Sequence, residues 1–276
     1  MSAPLDTPWR RLAIAVFDPP RSGDLYVQIQ VNVGPLEAYL AGRDDLDPVK
    51  DLPFFVVAAL ARALAEDAPS LNAYVERGRV RARDGVTVSM TTPPPTGPGV
   101  ITVRLHDAHR RAASDLAAAV RARMARRRER AAGGRQPGEY GLARVPWPFR
   151  RPLFRALRGL AGLGVPLGRL DLAPESYGAF VVSNLTPVIA DYPAGQGAAD
   201  AAFGPAFPAT RDASLLVLLP PESVPVVVDG EVVVQRRMPL SFTVDHRLAD
   251  GREVGALARG TGVRLLAPAA LDAAPA

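Results

Sequence analysis

The sequence contains no cysteine and only three histidines among its 276 residues. Without cysteine, disulfides, thiolate zinc sites and a cysteine nucleophile are all excluded. A metal site built on histidines would have to combine His106, His109 and His246. No cluster of acidic ligands surrounds the pair in HDAH beyond Asp107, so we interpret that segment as the solvated start of a helix and expect no metal site.

Long apolar runs and lysines are scarce as well. No run approaches the roughly 18 apolar residues of a membrane span, and the first twenty residues contain no sustained apolar stretch of the kind found in signal peptides. We therefore expect no integral membrane segment and a cytoplasmic location. Lys50 is the only lysine, so arginine supplies the net charge of +5. A basic charge balance can indicate binding to a nucleic acid, a membrane surface or an acidic small molecule. It can equally reflect a genome whose codons favour arginine and alanine, with no binding partner implied.

The apolar and charged residues that are present suit a globular α/β protein. An apolar fraction of 48% in 276 residues is enough for a sizeable core. We find no internal repeat and no dividing linker, and predict a single domain over residues 1–276. Strands are predicted at 12–17 and at 25–33, where apolar and polar residues alternate. A buried helix is predicted from about 52 to 67, with Asp51 as its cap.

A second long helix is predicted over residues 107–130. Its apolar residues Leu116, Val120 and Met124 recur every four residues, which places them on one face. The many arginines of this helix suggest nucleic-acid binding, but no aromatic residue is interleaved with them and no nucleic-acid motif is recognised. We interpret the arginines as a solvated helix face and expect no nucleic-acid partner.

The second half of the chain is rich in predicted strands. Asp229-Gly230 separates two valine-rich runs and is a strong hairpin signal. A closing helix over 251–259, a short strand VRLLA and a fraying tail at 268–276 are predicted after it. Residues 135–176 include an amphipathic piece with Leu153, Leu157 and Leu160 on one side; contact with a membrane surface and a lid or flap over a neighbouring subunit both stay open.

The stretch PLSFTVDHRLADGREV, residues 239–254, combines these elements around one histidine. Leu240, Phe242 and Val244 alternate with polar residues as in a half-buried strand, and Asp250 is placed to cap a following helix. His246 therefore falls at a strand end, where a general base is commonly needed. A histidine beside acids is often only a salt-bridged surface residue, so the wider pattern decides.

That pattern, D-H-R-x-x-D-G, is filled by Asp245, His246, Arg247, Asp250 and Gly251. It resembles the signature of the acyltransferase catalytic domain of 2-oxoacid dehydrogenase complexes (dihydrolipoyl acyltransferases), relatives of chloramphenicol acetyltransferase. The resemblance implies an α/β fold (an α+β sandwich) with a mixed, mostly antiparallel sheet and helices packed on it. It spans about residues 10–270, with 135–176 as a divergent helical insertion and 268–276 as a tail.

The resemblance also implies roles for site residues. His246 corresponds to the general base, and Asp250 to a residue that holds the loop or the imidazole. YGAFVVSNL resembles the family's G-T-F-T-I-S-N-L-G segment, which makes Ser183 the donor to the oxyanion. The sequence departs just afterwards, where Thr186 and Pro187 replace a glycine-led loop. The family further implies coenzyme A or acyl-coenzyme A as substrate and a homotrimer in which His246 of one subunit faces Ser183 of the next.

We expect no lipoyl domain, subunit-binding domain or covalently bound lipoyl group, because Lys50 in DPVKDLP does not resemble a lipoyl hairpin. The leading hypothesis is a stand-alone coenzyme A-dependent acyltransferase that uses a thiol, hydroxyl or amine acceptor. The alternative is a catalytically silent trimeric scaffold or ligand-binding module of the same fold. A hydrolase is a weaker option, since no G-x-S-x-G elbow is present. The acyl group, the acceptor and a lipoyl carrier acting in trans stay open.

Overall fold

The computed structural model describes residues 23–92, 101–132, 146, 148–165, 167, 176–189, 202–204 and 213–273. The strand predicted at 12–17 and the proline-rich residues 93–99 lie outside this part of the chain. Its strands are β1 (Asp24–Asn32), β2 (Ala73–Glu76), β3 (Arg79–Ala82), β4 (Val88–Thr92), β5 (Ile101–Leu105), β6 (Phe180–Asn184), β7 (Ser214–Leu218), β8 (Glu222–Val228) and β9 (Glu231–Asp245).

Seven of these strands form one mixed sheet in the order β1-β9-β7-β6-β4-β5, with β8 also paired to β9. β9 is antiparallel to β1, β7 and β8, and β4 is antiparallel to β5. The parallel pairings among the described strands are those of β6 with β4 and with β7. β2 and β3 form a separate hairpin that turns at Arg77-Gly78, where both residues have positive φ. The predicted mixed, mostly antiparallel sheet is confirmed.

The helices are α1 (Gly34–Ala41), α2 (Leu52–Glu66), α3 (Ala113–Ala132), α4 (Arg150–Gly162), α5 (Thr186–Ile189), α6 (Gly251–Arg264) and α7 (Pro268–Asp272). α2 is buried along nearly its whole length, because apolar residues occupy almost every position from Leu52 to Leu64. It contacts α3, α6 and α7. The core therefore lies between α2 and one face of the sheet.

The two faces of the sheet differ in chemistry. Leu240 and Phe242 of β9 join the core cluster under the helices, as do Phe180 and Val182 of β6. Side chains alternate along a strand, so Ser183 points to the opposite face with its register neighbours on β7 and β9. This face is partly covered by residues 202–204, where the N–H of Ala202 donates to Ser241 Oγ at 3.3 Å.

The C-terminal residues correct two predictions. α6 continues to Arg264 where a strand VRLLA was predicted, because Val254, Leu257 and Leu265 follow helical spacing and are all buried. The predicted fraying is wrong for residues 268–273. There α7 buries Leu271, and the guanidinium of Arg62 donates to the carbonyl oxygens of residues 270, 271 and 273.

The predicted helix at 107–130 begins later, at Ala113, after a 3₁₀ turn at Ala108–Arg110. Its expected apolar face is confirmed, with Leu116 and Val120 buried. Asp51, predicted as a cap for α2, makes no capping hydrogen bond with its side chain. Instead its buried carboxylate pairs with Arg121 of α3 and accepts from the N–H of Asp47.

Candidate active site

His246 lies in a turn immediately after β9. Its backbone N–H donates to the carbonyl oxygen of Gly23 at 2.9 Å, and the N–H of Leu248 donates to the backbone carbonyl oxygen of Asp245 at 2.9 Å. The Leu248 side chain is buried against Ala73 and the β2–β3 hairpin. The histidine is therefore carried by a turn that both the sheet and a neighbouring hairpin fix in place.

Asp245 and Arg247, on either side of the histidine, form a buried ion pair. The guanidinium of Arg247 donates to both carboxylate oxygens, from Nε at 3.0 and 2.9 Å and from Nη2 to Oδ2 at 2.5 Å. The N–H of Arg247 also donates to Asp245 Oδ1 at 2.9 Å. Four hydrogen bonds join Arg247 to Asp245 and hold the turn in one conformation. The two charged residues on either side of His246 therefore fix the backbone that carries it.

Asp250 performs two tasks at once. It begins α6 with a capping box, in which Glu253 accepts from the Asp250 N–H at 3.0 Å. Its Oδ1 also lies 3.5 Å from Nδ1 of His246. An acid beside Nδ1 favours the tautomer with the proton on that nitrogen, which makes Nε2 the proton acceptor. Of the two groups that the sequence left open for Asp250, the loop and the imidazole, the structure places its carboxylate beside both.

Ser183 lies near the C-terminal end of β6 and is half-buried. Its register partners are Thr91 on β4 and Val217 on β7. Thr91 Oγ1 donates to the carbonyl oxygen of Val182 at 3.2 Å, which adds a side-chain bond to the ladder beside the serine. The strand thus holds Ser183 rigidly at the polar face of the sheet.

A single chain does not bring Ser183 and His246 together. The register aligns Ser183 with Val217, and Val217 with Ser241, two strands away. His246 follows Ser241 by five residues on β9 and its turn. At ~3.3 Å per residue and ~4.8 Å per strand, this gives a separation of about 17 Å along the sheet and about 10 Å across it. The two predicted site residues lie at opposite ends of the sheet.

The other two histidines do not form a metal site with His246. His106 Nδ1 lies 3.2 Å from Thr87 Oγ1. Burial is the largest influence on His109 and lowers the pKa of its imidazole, with Arg110 acting in the same direction. Among the described residues, no group of three or more histidines and acids is arranged to hold a metal ion.

A cavity of about 540 Å³ lies between β1 and α6. It is lined mainly by apolar side chains, with Arg237 and Arg259 at its polar edge. Neither Ser183 nor His246 contributes to it. Sequence reasoning missed this cavity, because it depends on how α6 crosses β1. It contains no group suited to acid–base chemistry, so it does not form the candidate catalytic centre.

Residues 209–271 match the family model of the 2-oxoacid dehydrogenases acyltransferase (catalytic domain). The matched segment includes both His246 and Asp250, whereas Ser183 precedes it. No curated protein matches the sequence. In the described part of the chain, no helix is both long and apolar enough to cross a membrane.

Solved structures resemble the chain over nearly its whole length. A probable dihydrolipoamide acetyltransferase from Listeria monocytogenes has a TM-score of 0.61 at 15% identity, covering 96% of this chain and 94% of that chain. A dihydrolipoamide acetyltransferase of Azotobacter vinelandii, studied for the catalytic roles of a serine, a histidine and an asparagine, has a TM-score of 0.60 at 16% identity, covering 98% and 93%. A chloramphenicol acetyltransferase has a TM-score of 0.52 at 15% identity, covering 96% and 99%.

These likenesses show the fold, and the predicted chloramphenicol acetyltransferase-like architecture is confirmed. The predicted resemblance to the acyltransferase catalytic domain is confirmed by the family model over the segment that carries the histidine motif. The family-model match and the similar solved structures together support acyltransferase activity for this protein.

Proposed function

We propose that this protein is a coenzyme A-dependent acyltransferase that moves an acyl group between a thioester and a thiol, hydroxyl or amine acceptor. The observation that carries the proposal is the imidazole of His246, held at a strand end with Asp250 3.5 Å from Nδ1, inside the segment that matches the acyltransferase family model. Residues 1–276 act as one catalytic domain in this proposal.

His246 is the general base. Nε2 takes the proton from the acceptor, whose nucleophilic atom attacks the thioester carbonyl carbon directly. The tetrahedral intermediate then collapses, the carbon–sulfur bond breaks, and the leaving thiolate takes the proton from the imidazolium. No side chain is acylated, which agrees with a chain that has no cysteine. Asp250 is a positioning residue, because its Oδ1 lies 3.5 Å from Nδ1 of the imidazole and so orients the base.

Ser183 donates a hydrogen bond to the oxyanion as the intermediate forms. Donors of this kind act because charge develops at the carbonyl oxygen in the transition state, and losing one typically costs about 10²–10³ in rate. The rigid placement of Ser183 near the end of β6, between two paired strands, suits a preorganised donor.

The large separation of Ser183 and His246 within one chain supports an assembled enzyme. If both act on one carbonyl, a second copy must supply one of them. We propose a homotrimer, as the family resemblance implies, in which His246 of one copy faces Ser183 of the next. A contact between two different surfaces closes into a ring when its rotation permits.

The relative from Azotobacter vinelandii supports the assignment of Asp250. The histidine and the asparagine studied there lie four residues apart. His246 and Asp250 have the same spacing here, with an acid in place of the amide. Asparagine and aspartate both cap helices well, so the shared feature is a polar side chain four residues after the histidine; in this chain that side chain begins α6 and lies beside the imidazole.

Coenzyme A thioesters are the proposed donor. Lys50 is the one lysine of the sequence, and its Nζ lies 2.7 Å from Oδ2 of Asp47. This ion pair lies just before α2, and a lysine in that position does not suit lipoyl attachment. Dihydrolipoamide on a separate carrier is a thiol that the same base can activate. We propose that the protein uses no metal and acts in the cytoplasm.

The test is acyl-coenzyme A consumption, followed as free thiol release, against a panel of thiol, alcohol and amine acceptors. Acceptor-dependent release should fall by about 10²–10⁴ in His246→Ala, and by about 10²–10³ in Ser183→Ala. His106→Ala, which removes a histidine remote from the site, should match the wild type. Acceptor-independent release would indicate a hydrolase. No release from a folded trimer that still binds coenzyme A would favour the silent scaffold.

A further inference from the structure

α4 carries an apolar face that its own chain leaves exposed. Leu153 and Leu160, seven residues apart, lie on one side of the helix and are exposed to 40% and 44%. Phe149 before the helix and Leu163 after it are exposed to 67% and 63%. At ~100° per residue, the four side chains fall within an arc of about 80°. We call these four residues the apolar stripe; a clustered, exposed apolar patch marks an interaction site.

The rest of the chain holds α4 by a different side. Ala161, about 100° round the helix from Leu160, is buried. The N–H of Arg77, in the turn between β2 and β3, donates to the carbonyl oxygen of Gly162 at 3.3 Å, and its Nε donates to that of Leu163 at 3.0 Å. These contacts lie at the C-terminal end of the helix, so they leave the apolar stripe open to solvent.

The face opposite the apolar stripe is basic. Arg155 and Arg158 lie about 200° and about 140° round the helix from Leu153, and Arg155 is exposed. The sequence around the helix, residues 140–170, contains six arginines and no acidic residue. These arginines are Arg144, Arg150, Arg151, Arg155, Arg158 and Arg169. The segment therefore combines an apolar face with positive charge and contributes no negative charge of its own.

The hairpin that holds α4 is basic as well. Its sequence ERGRVRAR, residues 76–83, contains four arginines and one acid. Arg77, Arg79 and Arg81 are exposed. Glu76 lies near only one of them, with its Oε2 3.8 Å from Nε of Arg81. The surface beside α4 is therefore also positively charged.

These features match an amphipathic helix that lies in the plane of a bilayer surface. Such helices bury a face of leucine and aromatic residues at the boundary between headgroups and acyl chains, and carry arginines on the other face. The thirteen residues of α4 give a length of about 20 Å, too short to span a hydrocarbon core of about 30 Å. The helix is only about 10–12 Å across, so arginines opposite the stripe stay close to one Debye length, roughly 8–10 Å, from the headgroup charges.

Anionic lipid is the partner that uses both halves of this surface. A nucleic-acid backbone attracts arginines but gives the leucines nothing to pack against. A second copy of the chain carries the same arginines, which repel one another. An anionic bilayer supplies acyl chains for the apolar stripe and negative headgroups for the arginines.

We propose that the protein docks on anionic bilayers through α4. The apolar stripe enters the boundary between headgroups and acyl chains, and the arginines of α4 and of the β2–β3 hairpin bind the headgroups. The hairpin also packs against Leu248, two residues after His246. Docking therefore brings the His246 end of the chain to the bilayer surface. Such docking requires no acyl transfer, so lipid binding is measured separately from activity.

Co-sedimentation of the full chain with lipid vesicles tests the proposal. Vesicles of two parts phosphatidylcholine to one part phosphatidylglycerol are compared with vesicles of phosphatidylcholine alone. We expect binding to the anionic vesicles to be about tenfold tighter or more, because each arginine near the surface contributes about a factor of five. The difference should disappear at high salt, which screens the surface potential.

Substitutions separate the two halves of the surface. Leu153→Glu should weaken binding to the anionic vesicles by about tenfold or more, because a leucine side chain no longer leaves water. Its matched control is Leu266→Glu, at a leucine exposed to 51% that lies after α6, and this variant should bind as the wild type does. Arg79→Gln should weaken binding about fivefold, whereas Arg252→Gln, on the exposed side of α6, should have no effect.

Wild-type binding that is no tighter to anionic than to neutral vesicles would overturn the proposal, as would equal losses for Leu153→Glu and Leu266→Glu. A wild-type chain that ignores vesicles but binds duplex DNA in the same buffer would make the arginines a nucleic-acid surface instead. If the wild type ignores vesicles and Leu153→Glu dissociates its assembly in sedimentation equilibrium, the stripe is a contact between copies. Circular dichroism checks that each variant is folded, and Leu163→Glu is the second stripe variant should Leu153→Glu not fold.

Discussion

The acidic and basic side chains around His246 form charged contacts and also fix the backbone on either side of it. Asp245 and Arg247 pair with each other while exposed to only 5% and 8%, and Asp250 faces the imidazole and begins α6. Asp245 thus pairs with the buried guanidinium of Arg247, and Asp250 accepts from a backbone N–H at the start of α6 that would otherwise have no partner in the helix. The motif is a folding unit as well as a site, because the ion pair fixes the turn from which the histidine projects.

The buried pair should dominate stability at this turn. Arg247→Met would leave the Asp245 carboxylate buried without its charged partner, and breaking such a pair typically costs about 3–5 kcal/mol. We expect that loss in the free energy of urea unfolding. Arg252→Ala, on the exposed side of α6, should stay within about 0.5 kcal/mol of the wild type. A loss for Arg247→Met no larger than that control would contradict the account of the turn.

At the scale of elements, α7 is the clearest example of a helix that tertiary contacts create. Five residues are too few to form a stable helix alone, yet α7 docks through buried Leu271 and through Asp272. The Asp272 carboxylate accepts from Tyr39 Oη at 3.1 Å, Arg43 Nη1 at 2.9 Å and the N–H of Ser114 at 3.0 Å. Three elements therefore meet on one carboxylate.

This carboxylate should give the fold an acid-sensitive contact. Burial raises the pKa of Asp272, but hydrogen bonds from Ser114 and Tyr39 and the charge of Arg43 outweigh it and hold the pKa below its usual value. A lowered pKa stabilises the fold above the unfolded value, near ~4, and the contribution disappears as pH falls further. Asp272→Asn should therefore lose about 1.5–3 kcal/mol at neutral pH and converge with the wild type towards pH ~3.

Urea unfolding across pH checks this expectation, with Leu271→Ala as the matched control in the same helix. Loss of a buried leucine side chain costs about 2–5 kcal/mol and involves no titrating group, so its deficit should not vary with pH. Equal pH dependence of the two deficits would rule out the ionised Asp272 contact as a source of stability.

Much of this element-level structure follows from local pattern. Alternation predicted β1 and the C-terminal half of β9, the apolar run predicted α2, and Asp229-Gly230 predicted the turn between β8 and β9. The misplaced strand VRLLA arose because Val263 and Leu265 alternate over a window too short to separate a strand from a helix end. α7 and the side-chain role of Asp51 depend on partners distant in sequence, Arg62 and Arg121, so no local pattern contained them.

At the scale of the whole molecule, the sheet order determines what one chain can do. His246 and Asp250 lie together because they are only four residues apart in the sequence, around the turn that follows β9. The separation of Ser183 from His246 required the order β9-β7-β6 and its register, which no spacing in the sequence determines. That separation makes a second copy necessary for the proposed chemistry.

Complementation between inactive variants tests this central claim most directly. His246→Ala and Ser183→Ala chains are co-expressed with different tags, and assemblies containing both are assayed for acceptor-dependent thiol release. If each site takes its histidine and its serine from different copies, every trimer that contains both variants keeps both side chains at one of its three interfaces. We therefore predict about a third of the wild-type rate for these mixed trimers. A mixture no more active than the two separate variants would contradict the interfacial site.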